Sequence, residues 1–570
     1  MCRHFILAGI LLVAAGCTAP SQEPAPPSLQ ADIAFPAHPG DQPGAPALDP
    51  AALMISSNRA ARERAMDRVF QPRGDLPEWE YALPLNWSAD PFGDLNWQFQ
   101  LHAWRMLNPL ADQYARQHDQ AYFDRAVDIA RDWKAWHTDR SAPLSWQDMA
   151  TGLRASMLAY LIREARAGRA AISDDGWGDL LQLARAHGEI LTRPGFIPDD
   201  NHGIFAAHGL MALCQTIGEM PECASGQSLA VRRMEELFAG QFLEDGVHAE
   251  HSPDYHWFAM TVFERVASTG WYAQTRFDAG LARARAAAPF LLHADGHQPG
   301  LGDSERTLRE SDHARLPATP DTCLDEDGDN CVLLRHFDQA GYVIARSVRG
   351  AREPHSLFFT CGWQSTIHKH PDELSFEWWA FDGLILADSG KYGYTPDDTR
   401  AFVLSRAAHN TVSFGGREPH QPDGGGPFPG ACTSEPRQED GAIILSGAYD
   451  PPGPAARHAR EIYYRPGESL VVRDRVEHRG GFSQWFHFAP GIDVSQTGRA
   501  GELRADLGAS RPSLGIHTDP ACSTRLHHGS RQPMQGWMST GYGEMTARYT
   551  LEVVCPAGVA GAEARFEVVR

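Results

Sequence analysis

Three side chains able to ligate a metal, His370, Asp388 and His409, recur over a short stretch of chain, with a spare histidine, His368, two residues before the first. They sit in Thr366-Ile-His-Lys-His-Pro-Asp-Glu-Leu-Ser-Phe376, Leu386-Ala-Asp-Ser-Gly390 and Ala408-His-Asn-Thr-Val412. Two imidazoles and a carboxylate suit zinc, because neutral ring nitrogen and carboxylate oxygen are both good ligands for a borderline-soft ion. Spacing alone does not establish a metal. In a chain with 26 histidines, ordinary hydrogen-bonded histidines at strand ends are the competing reading.

A second constellation lies upstream, in Asp199-Asp-Asn-His-Gly203 and Glu244-Asp-Gly-Val-His-Ala-Glu-His-Ser-Pro-Asp-Tyr-His256. Asn201 and His202 open a helical segment, where an asparagine can cap and the helix dipole favours anions. Tyr255 is equally readable as a core tyrosine with a satisfied hydroxyl. Taken singly, each of these residues has a plain structural explanation.

The elements that must position these residues fall into two grammars. From about residue 50 to 316, apolar residues recur at helical spacing over 95–117, 120–137, 146–167, 174–191, 202–217, 228–242, 257–275 and 281–293, separated by breakers such as Arg193-Pro-Gly195. Successive antiparallel helix pairs of this size close into an (α/α) toroid. From residue 333 the pattern becomes short alternating segments punctuated by Gly, Pro and Asp, as in an antiparallel β-sandwich. The runs 374–381, 383–387 and 411–414 read as strands, and three strands of one sheet would bring the three ligands together. The expected fold is therefore α+β multidomain, an N-terminal toroid over 51–318, a linker at 319–335 and a sandwich over 336–570. The linker holds Asp321-Thr-Cys-Leu-Asp-Glu-Asp-Gly-Asp-Asn-Cys331, which lacks the closing glutamate of a calcium loop and reads as an acidic loop pinned by a disulfide.

The first 17 residues combine a short basic start, an apolar run and Ala14-Ala-Gly-Cys17, a lipoprotein-type signal peptide with Cys17 as the lipidated residue. An exported protein follows, periplasmic or anchored to the outer membrane of a Gram-negative bacterium, touching the membrane only through that lipid. Residues 18–50, rich in Pro, Ala, Gln and Gly, read as a disordered tether. A formal charge of -21 argues against nucleic acid as a partner but not against an anion held in a locally basic cleft. Lys134, Lys369 and Lys391 are the only lysines, so arginine carries the positive charge. Of the ten cysteines, the eight beyond Cys17 allow four disulfides; Cys214 with Cys223 and Cys323 with Cys331 are the natural local pairs, and the pairing of Cys361, Cys432, Cys522 and Cys555 stays open.

Taken in order, Asp-Asn-His-Gly (200–203), Asp-Gly-x-His-x-Glu-x-Ser-Pro-x-Tyr-His (245–256), His-x-His-x-Asp-x-x-Ser-Phe (368–376), Asp-Ser-Gly (388–390) and His-Asn-Thr-Val (409–412) resemble the heparinase II/III family of polysaccharide lyases. The resemblance spans most of the mature chain. It implies the toroid and sandwich already inferred, zinc at His370, Asp388 and His409, and β-elimination at a uronic acid: removal of the C5 proton and expulsion of the C4 oxygen. The C5 proton is weakly acidic beside an ionised carboxylate, so a donor must neutralise that carboxylate, a role the resemblance gives to Asn201 with His202. Tyr255 then serves as acid, and also as base where the C5 proton and C4 oxygen share a face, as in glucuronate or mannuronate. Where they lie on opposite faces, as in iduronate or guluronate, His202 is the candidate base. A tyrosine base needs its pKa depressed from about 10, and His368, presented by a loop that a structural zinc fixes, is the candidate to do so.

Supporting residues for an anionic uronate polysaccharide, in segments that look like the family's, are Asn96, Trp97, Trp146, Arg154, Glu250, His256, Tyr392, Tyr394 and Arg406. The substrate expected is an unsulfated glucuronate- or mannuronate-type polymer, an exopolysaccharide or alginate, or a heparan-type glycosaminoglycan, low lysine and an acidic balance favouring the unsulfated polymer. Two alternatives remain open: a glycoside hydrolase using Asp200 and Glu250, and a surface glycan-binding protein without chemistry.

Overall fold

The computed structural model describes residues 27–30, 35–138, 140, 142–309, 316, 319–324, 331–348, 351, 354–414, 430–451 and 456–569. The signal peptide with Cys17 and the acidic residues between Leu324 and Cys331 lie outside them. Among the described residues no helix is long and apolar enough to cross a membrane.

Two compact units form, Met1–Gly240 with Thr261–Ala279 and Gln241–Met260 with Gly280–Arg570. The fold class is the expected one, helices first and antiparallel sheets after, but the division differs from a cut at 318/319. The segment carrying Tyr255 belongs to the sheet-rich unit. Its anchor is visible: the Asp245 carboxylate accepts the backbone N–H groups of Gln339 and Ala340 at 3.1 and 2.9 Å, and Val247 and Leu291 share a core with Phe337, Tyr342 and Phe358.

In the helical unit, α1 (Arg59–Glu63), α2 (Leu95–His102), α3 (Asn108–Gln117), α4 (Gln120–His137), α5 (Asp148–Arg166), α6 (Asp174–Leu191), α7 (Asn201–Thr216) and α8 (Cys223–Gln241) succeed one another. Each of α4 to α7 starts at a side chain that accepts an otherwise unpaired N–H of the first turn: Asp119, Gln147, Ser173 and Asp200. The pair α5 and α7 cross with backbones in contact. A Cβ on Gly152 would stand 2.3 Å from the Phe205 carbonyl oxygen, and one on Gly209 would stand 2.2 Å from that of Gly152. Only glycine permits this approach, and it sets the two helices in a fixed register.

The expected tether is corrected for residues 35–50. Backbone N–H groups of Gly40 and Gln42 donate to the carbonyls of Ala165 and Arg166 at 2.9 Å each, and the Asp41 carboxylate pairs with both Arg166 Nε and Nη2 at 2.7 Å. Composition gives this stretch no core of its own, but it needs none: it supplies the donors that the last carbonyls of α5 lack.

In the sheet-rich unit all pairings are antiparallel. A six-stranded sheet runs in sequence order from Thr322–Cys323 to Gly383–Leu386, an eight-stranded sheet runs Arg437–Glu439, Ala442–Tyr449, Arg457–Arg465, Ser469–Glu477, Gly561–Val569, Ser513–Thr518, Glu502–Asp506, Asp493–Gln496, and a four-stranded sheet holds Val412–Phe414, Phe482–His487, Tyr549–Cys555 and Ser523–His528. One apolar core joins residues of all three, among them Phe376, Leu386, Val412, Phe486 and Phe566. Disulfides link Cys214 to Cys223 and Cys323 to Cys331 as expected, and also Cys361 to Cys432 and Cys522 to Cys555.

Candidate functional site

In the helical unit the chemistry starts at the head of α7. Asp200 caps the helix by accepting the His202 N–H at 2.9 Å, so Asn201 is the first helical residue rather than the cap. Its half-buried amide makes no hydrogen bond among the described residues, and a helix N-terminus with a spare amide donor is suited to an anion. His202 is held by α5: its Nδ1 lies 3.1 Å from Asp148 Oδ1 and 3.0 Å from Gln147 Nε2. Burial would lower its pKa, but the Asp148 bond and the charges of Asp148 and Asp200 outweigh it and hold the imidazole above its ordinary value.

Four other residues of this unit do not meet the expectation of sugar contacts. Trp97 is wholly buried, edge-on to Trp79 and Phe92, and Asn96 and Trp146 are buried beside it and near Arg154 respectively. Arg154, also fully buried, donates to His187 Nε2 at 2.9 Å and to the His102 carbonyl at 2.6 Å beneath Trp133. An indole with no exposed face cannot stack on a sugar, so these are packing residues in this conformation.

The sheet-rich unit assembles Tyr255, Tyr394, His368 and Glu250. The Tyr255 and Tyr394 hydroxyls are 2.8 Å apart, the His368 ring stacks on that of Tyr255 with centroids 3.5 Å apart, and His368 Nδ1 lies 2.8 Å from Glu250. Arg400 and Lys391 stand over the Tyr394 ring at 5.4 and 5.7 Å. Backbone strain concentrates here: His251, His368 and Tyr392 all have positive φ. Gly302 (φ 55) threads between two of them, where a Cβ would stand 2.6 Å from the His251 carbonyl oxygen and 2.8 Å from that of His368. The following N–H, of Asp303, donates to the His368 carbonyl at 3.0 Å.

The phenol does not behave as expected. Burial raises the Tyr255 pKa above its ordinary value in spite of the Tyr394 bond, and the charges of Asp303, Glu250 and Asp254 add to the rise. No depression by His368 results, so Tyr255 holds its proton. Burial opposes ionisation of Glu250 too, but His248 and the bond from His368 hold its carboxyl below the usual range.

Behind this group, His370, Asp388 and His409 are fully buried and offer ligand atoms within 4.8 Å of one another. They do not come from one sheet: Asp388 follows the last strand of the six-stranded sheet, whereas His409 precedes Val412–Phe414 in the four-stranded sheet, the two joined by a bridge between Leu386 and Phe488. Asp303 Oδ1 is 2.8 Å from His370 Nε2, and Asp388 Oδ2 is 2.7 Å from His409 Nδ1. With those nitrogens engaged, His370 Nδ1 and His409 Nε2 are buried and have no partner among the described residues. Asp303 fixes the tautomer of His370 in this way, leaving its Nδ1 lone pair to an ion, whereas Asp388 lies against His409 Nδ1 and as a ligand would share the ion with that nitrogen. Burial, against the pull of Asp303, also holds His370 neutral. The donor set fits zinc.

Three further expected contacts turn out to be scaffolding. His256 is buried, accepts the His248 N–H at 3.3 Å, and is lowered by burial to about 3. Arg406 is buried against Glu373 at 2.6 Å. Tyr392 packs on Phe402 and Val403. The sequence reading missed Asp148 and Asp303, whose signal is no more than an acid at a helix start and one in a glycine-flanked loop.

Residues 45–282 match the family model described as heparinase II/III N-terminus, and residues 333–564 the one described as heparinase II/III-like, C-terminal. No curated protein sequence matches the chain. Among solved structures it is similar to a heparan sulfate lyase, HepC from Pedobacter heparinus, with 16% identity over 92% of this chain and 85% of that one and a TM-score of 0.70. It is also similar to heparinase III, the BT4657 gene product, with 16% identity, coverage of 91% and 85% and a TM-score of 0.69. A mutant of the chondroitin AC lyase from Streptomyces coelicolor A3 gives 12%, 92% and 80%, and 0.50. At these identities the likeness is one of fold.

Proposed function

The chain belongs to the heparinase II/III family of polysaccharide lyases, and on that premise we propose that it cuts a uronate polysaccharide by β-elimination, leaving an unsaturated uronate end. The observation that carries this reading is Tyr255, a buried phenol that keeps its proton within 2.8 Å of a second tyrosine and under His368. A protonated phenol suits the step that needs an acid, delivery of a proton to the departing C4 oxygen. The Asn201 amide at the head of α7 donates to the substrate carboxylate and stabilises the enolate-like state, a contact of a kind worth about 3–4 kcal/mol. His202, held above its ordinary pKa, takes the C5 proton. Glu250 orients His368 through Nδ1.

This division of labour favours uronates whose C5 proton and C4 oxygen lie on opposite faces, guluronate or iduronate, over the same-face sugars, for which Tyr255 would first have to lose a proton. The metal-competent residues His370 and His409 belong to the same proposal. With Asp388 these residues would hold one zinc ion per chain, whose contribution is structural, fixing the loop that carries His368.

The test is a panel of uronate polymers in C5-epimeric pairs, followed by the ultraviolet absorbance of the conjugated double bond. Absorbance rising with chain scission, faster on the opposite-face epimer, is expected. Scission with no chromophore would mean hydrolysis and would overturn the lyase reading; equal rates on both epimers would overturn the assignment of the base.

A further inference from the structure

We propose that Asp148 is a positioning residue that fixes the proton of His202 on Nδ1, leaving the Nε2 lone pair free to take the substrate proton. This rests on the reading of His202 as the base. The geometry comes from the crossing at Gly152 and Gly209, which sets the first turn of α5 against the first turn of α7 and puts Asp148 Oδ1 3.1 Å from His202 Nδ1. His202 Nε2 makes no hydrogen bond among the described residues, and the side chain is 26% exposed.

Gln147 makes the choice of tautomer a real competition. Its Oε1 accepts the Ala150 N–H at 2.9 Å, which turns its Nε2 toward both Asp148 and His202. An amide nitrogen can only donate, so by itself Gln147, 3.0 Å away, would make Nδ1 an acceptor and drive the ring proton to Nε2. A carboxylate can only accept, and its charge-assisted bond is roughly twice as strong as a neutral one. Asp148 therefore holds the proton on Nδ1, and Gln147 donates to Asp148 instead. The other charged groups nearby do not alter this: Asp200 is engaged by the His202 backbone N–H at the cap of α7, and Arg233 of α8 is occupied by Asp199 and the carbonyls of Ile197 and Pro198.

The first experiment needs no variant. Ring ¹⁵N shifts of His202 in the full chain, assigned by their loss in His202→Gln and read above the titration of the ring, should show Nδ1 protonated and Nε2 bare; the reverse tautomer overturns the proposal. The second is the pH profile of turnover on the best uronate polymer. Asp148→Asn keeps the shape but presents an amide where the acceptor stood, so kcat should fall about 10²- to 10⁴-fold with KM little changed. The acidic limb of kcat/KM should move to lower pH, and Asp148→Glu should restore part of the rate. An Asp148→Asn protein that melts like wild type and keeps both kcat and that limb overturns the proposal while leaving the lyase reading intact. Wild-type chain that forms no chromophore on any polymer sinks the lyase reading, and the ¹⁵N measurement still decides the tautomer.

Discussion

Gly152→Ala should destabilise the helical unit even though the same change in an isolated helix stabilises it. Alanine in place of glycine gains about 1 kcal/mol of helix propensity. Against this, the new Cβ would lie 2.3 Å from Phe205 O, 2.5 Å from Phe205 C and 2.6 Å from Ala206 Cα, all backbone atoms of α7 that no rotamer change can move. Relief requires α5 and α7 to part by roughly 1 Å, and overpacking of this kind costs about 1–3 kcal/mol. The upper end applies because the clash is backbone against backbone, so the net loss is about 2 kcal/mol. For a unit of this size that lowers Tm by roughly 4–8 °C. The control is Gly178→Ala on α6, where nothing lies within 4 Å of the added Cβ and Tm should hold or rise. Because the crossing is one helical turn from Asp148, the 3.1 Å contact to His202 should stretch beyond hydrogen-bond range and turnover should fall with stability. Calorimetry of both variants, with turnover measured well below the transition, checks this. A Gly152→Ala protein as stable as the Gly178→Ala control would refute the claim that the glycines set the register.

Three other outcomes are expected. Tyr255→Phe removes one hydroxyl from the pair with Tyr394 and should lower kcat about 10²- to 10⁴-fold with KM within a few-fold, read by steady-state kinetics. Dialysed wild-type protein should carry one zinc by elemental analysis, and His370→Ala should lose it together with several degrees of Tm; chelation that abolished turnover while leaving folding and substrate affinity intact would show the metal to be catalytic instead. Asp474→Asn strands the buried Arg460 and His458 and should cost about 3–5 kcal/mol in denaturant unfolding. Arg460 and His458 overcome burial to hold the Asp474 carboxyl well below its ordinary value, so its contribution is present above about pH 4 and lost only as pH falls through the depressed value. The gap between wild type and variant should thus stay constant from pH 5 to 8.

The sequence carried the residues that touch one another across long separations, because each sits in a short motif of unusual composition. Tyr255, His368 and Glu250 meet, and so do His370, Asp388 and His409. It did not carry the residues that orient them. Asp148 and Asp303 are single acids whose partners lie 54 and 67 residues away, and a lone acid has no periodicity to read. Accessibility was also hidden: Trp97 and Trp146 have the chemistry of sugar platforms, but helical spacing cannot say whether an indole faces a cleft or a neighbouring ring. Residues 35–50 failed for a third reason. Composition measures whether a segment can build its own core, not whether it can complete the hydrogen bonds of a helix end.

The scarcity of lysine takes on a different meaning at the metal-competent loops. Read from the sequence, the three lysines mean only that arginine carries almost all the positive charge. Three of the most deeply buried arginines grip the backbone around the metal-competent residues. Arg548 donates to the carbonyls of Ala387 and Asp388 and to Ser389 Oγ. Arg460 donates to those of Leu374 and Asn410, and Arg406 to that of Val412. These segments precede or follow His370, Asp388 and His409, and apart from Val412, which opens a strand, they are irregular, so their carbonyls have no ladder to join. A planar fork of five donors satisfies two or three such oxygens at once from a single buried site, which an ammonium on a flexible stem does less well. Each charge faces an acid, Asp474 for Arg460 and Glu373 for Arg406, while burial lowers the Arg548 pKa to about 9 against the charges of Asp388 and Glu377. Rigidity around His370, Asp388 and His409 is thus supplied by arginines that are themselves buried.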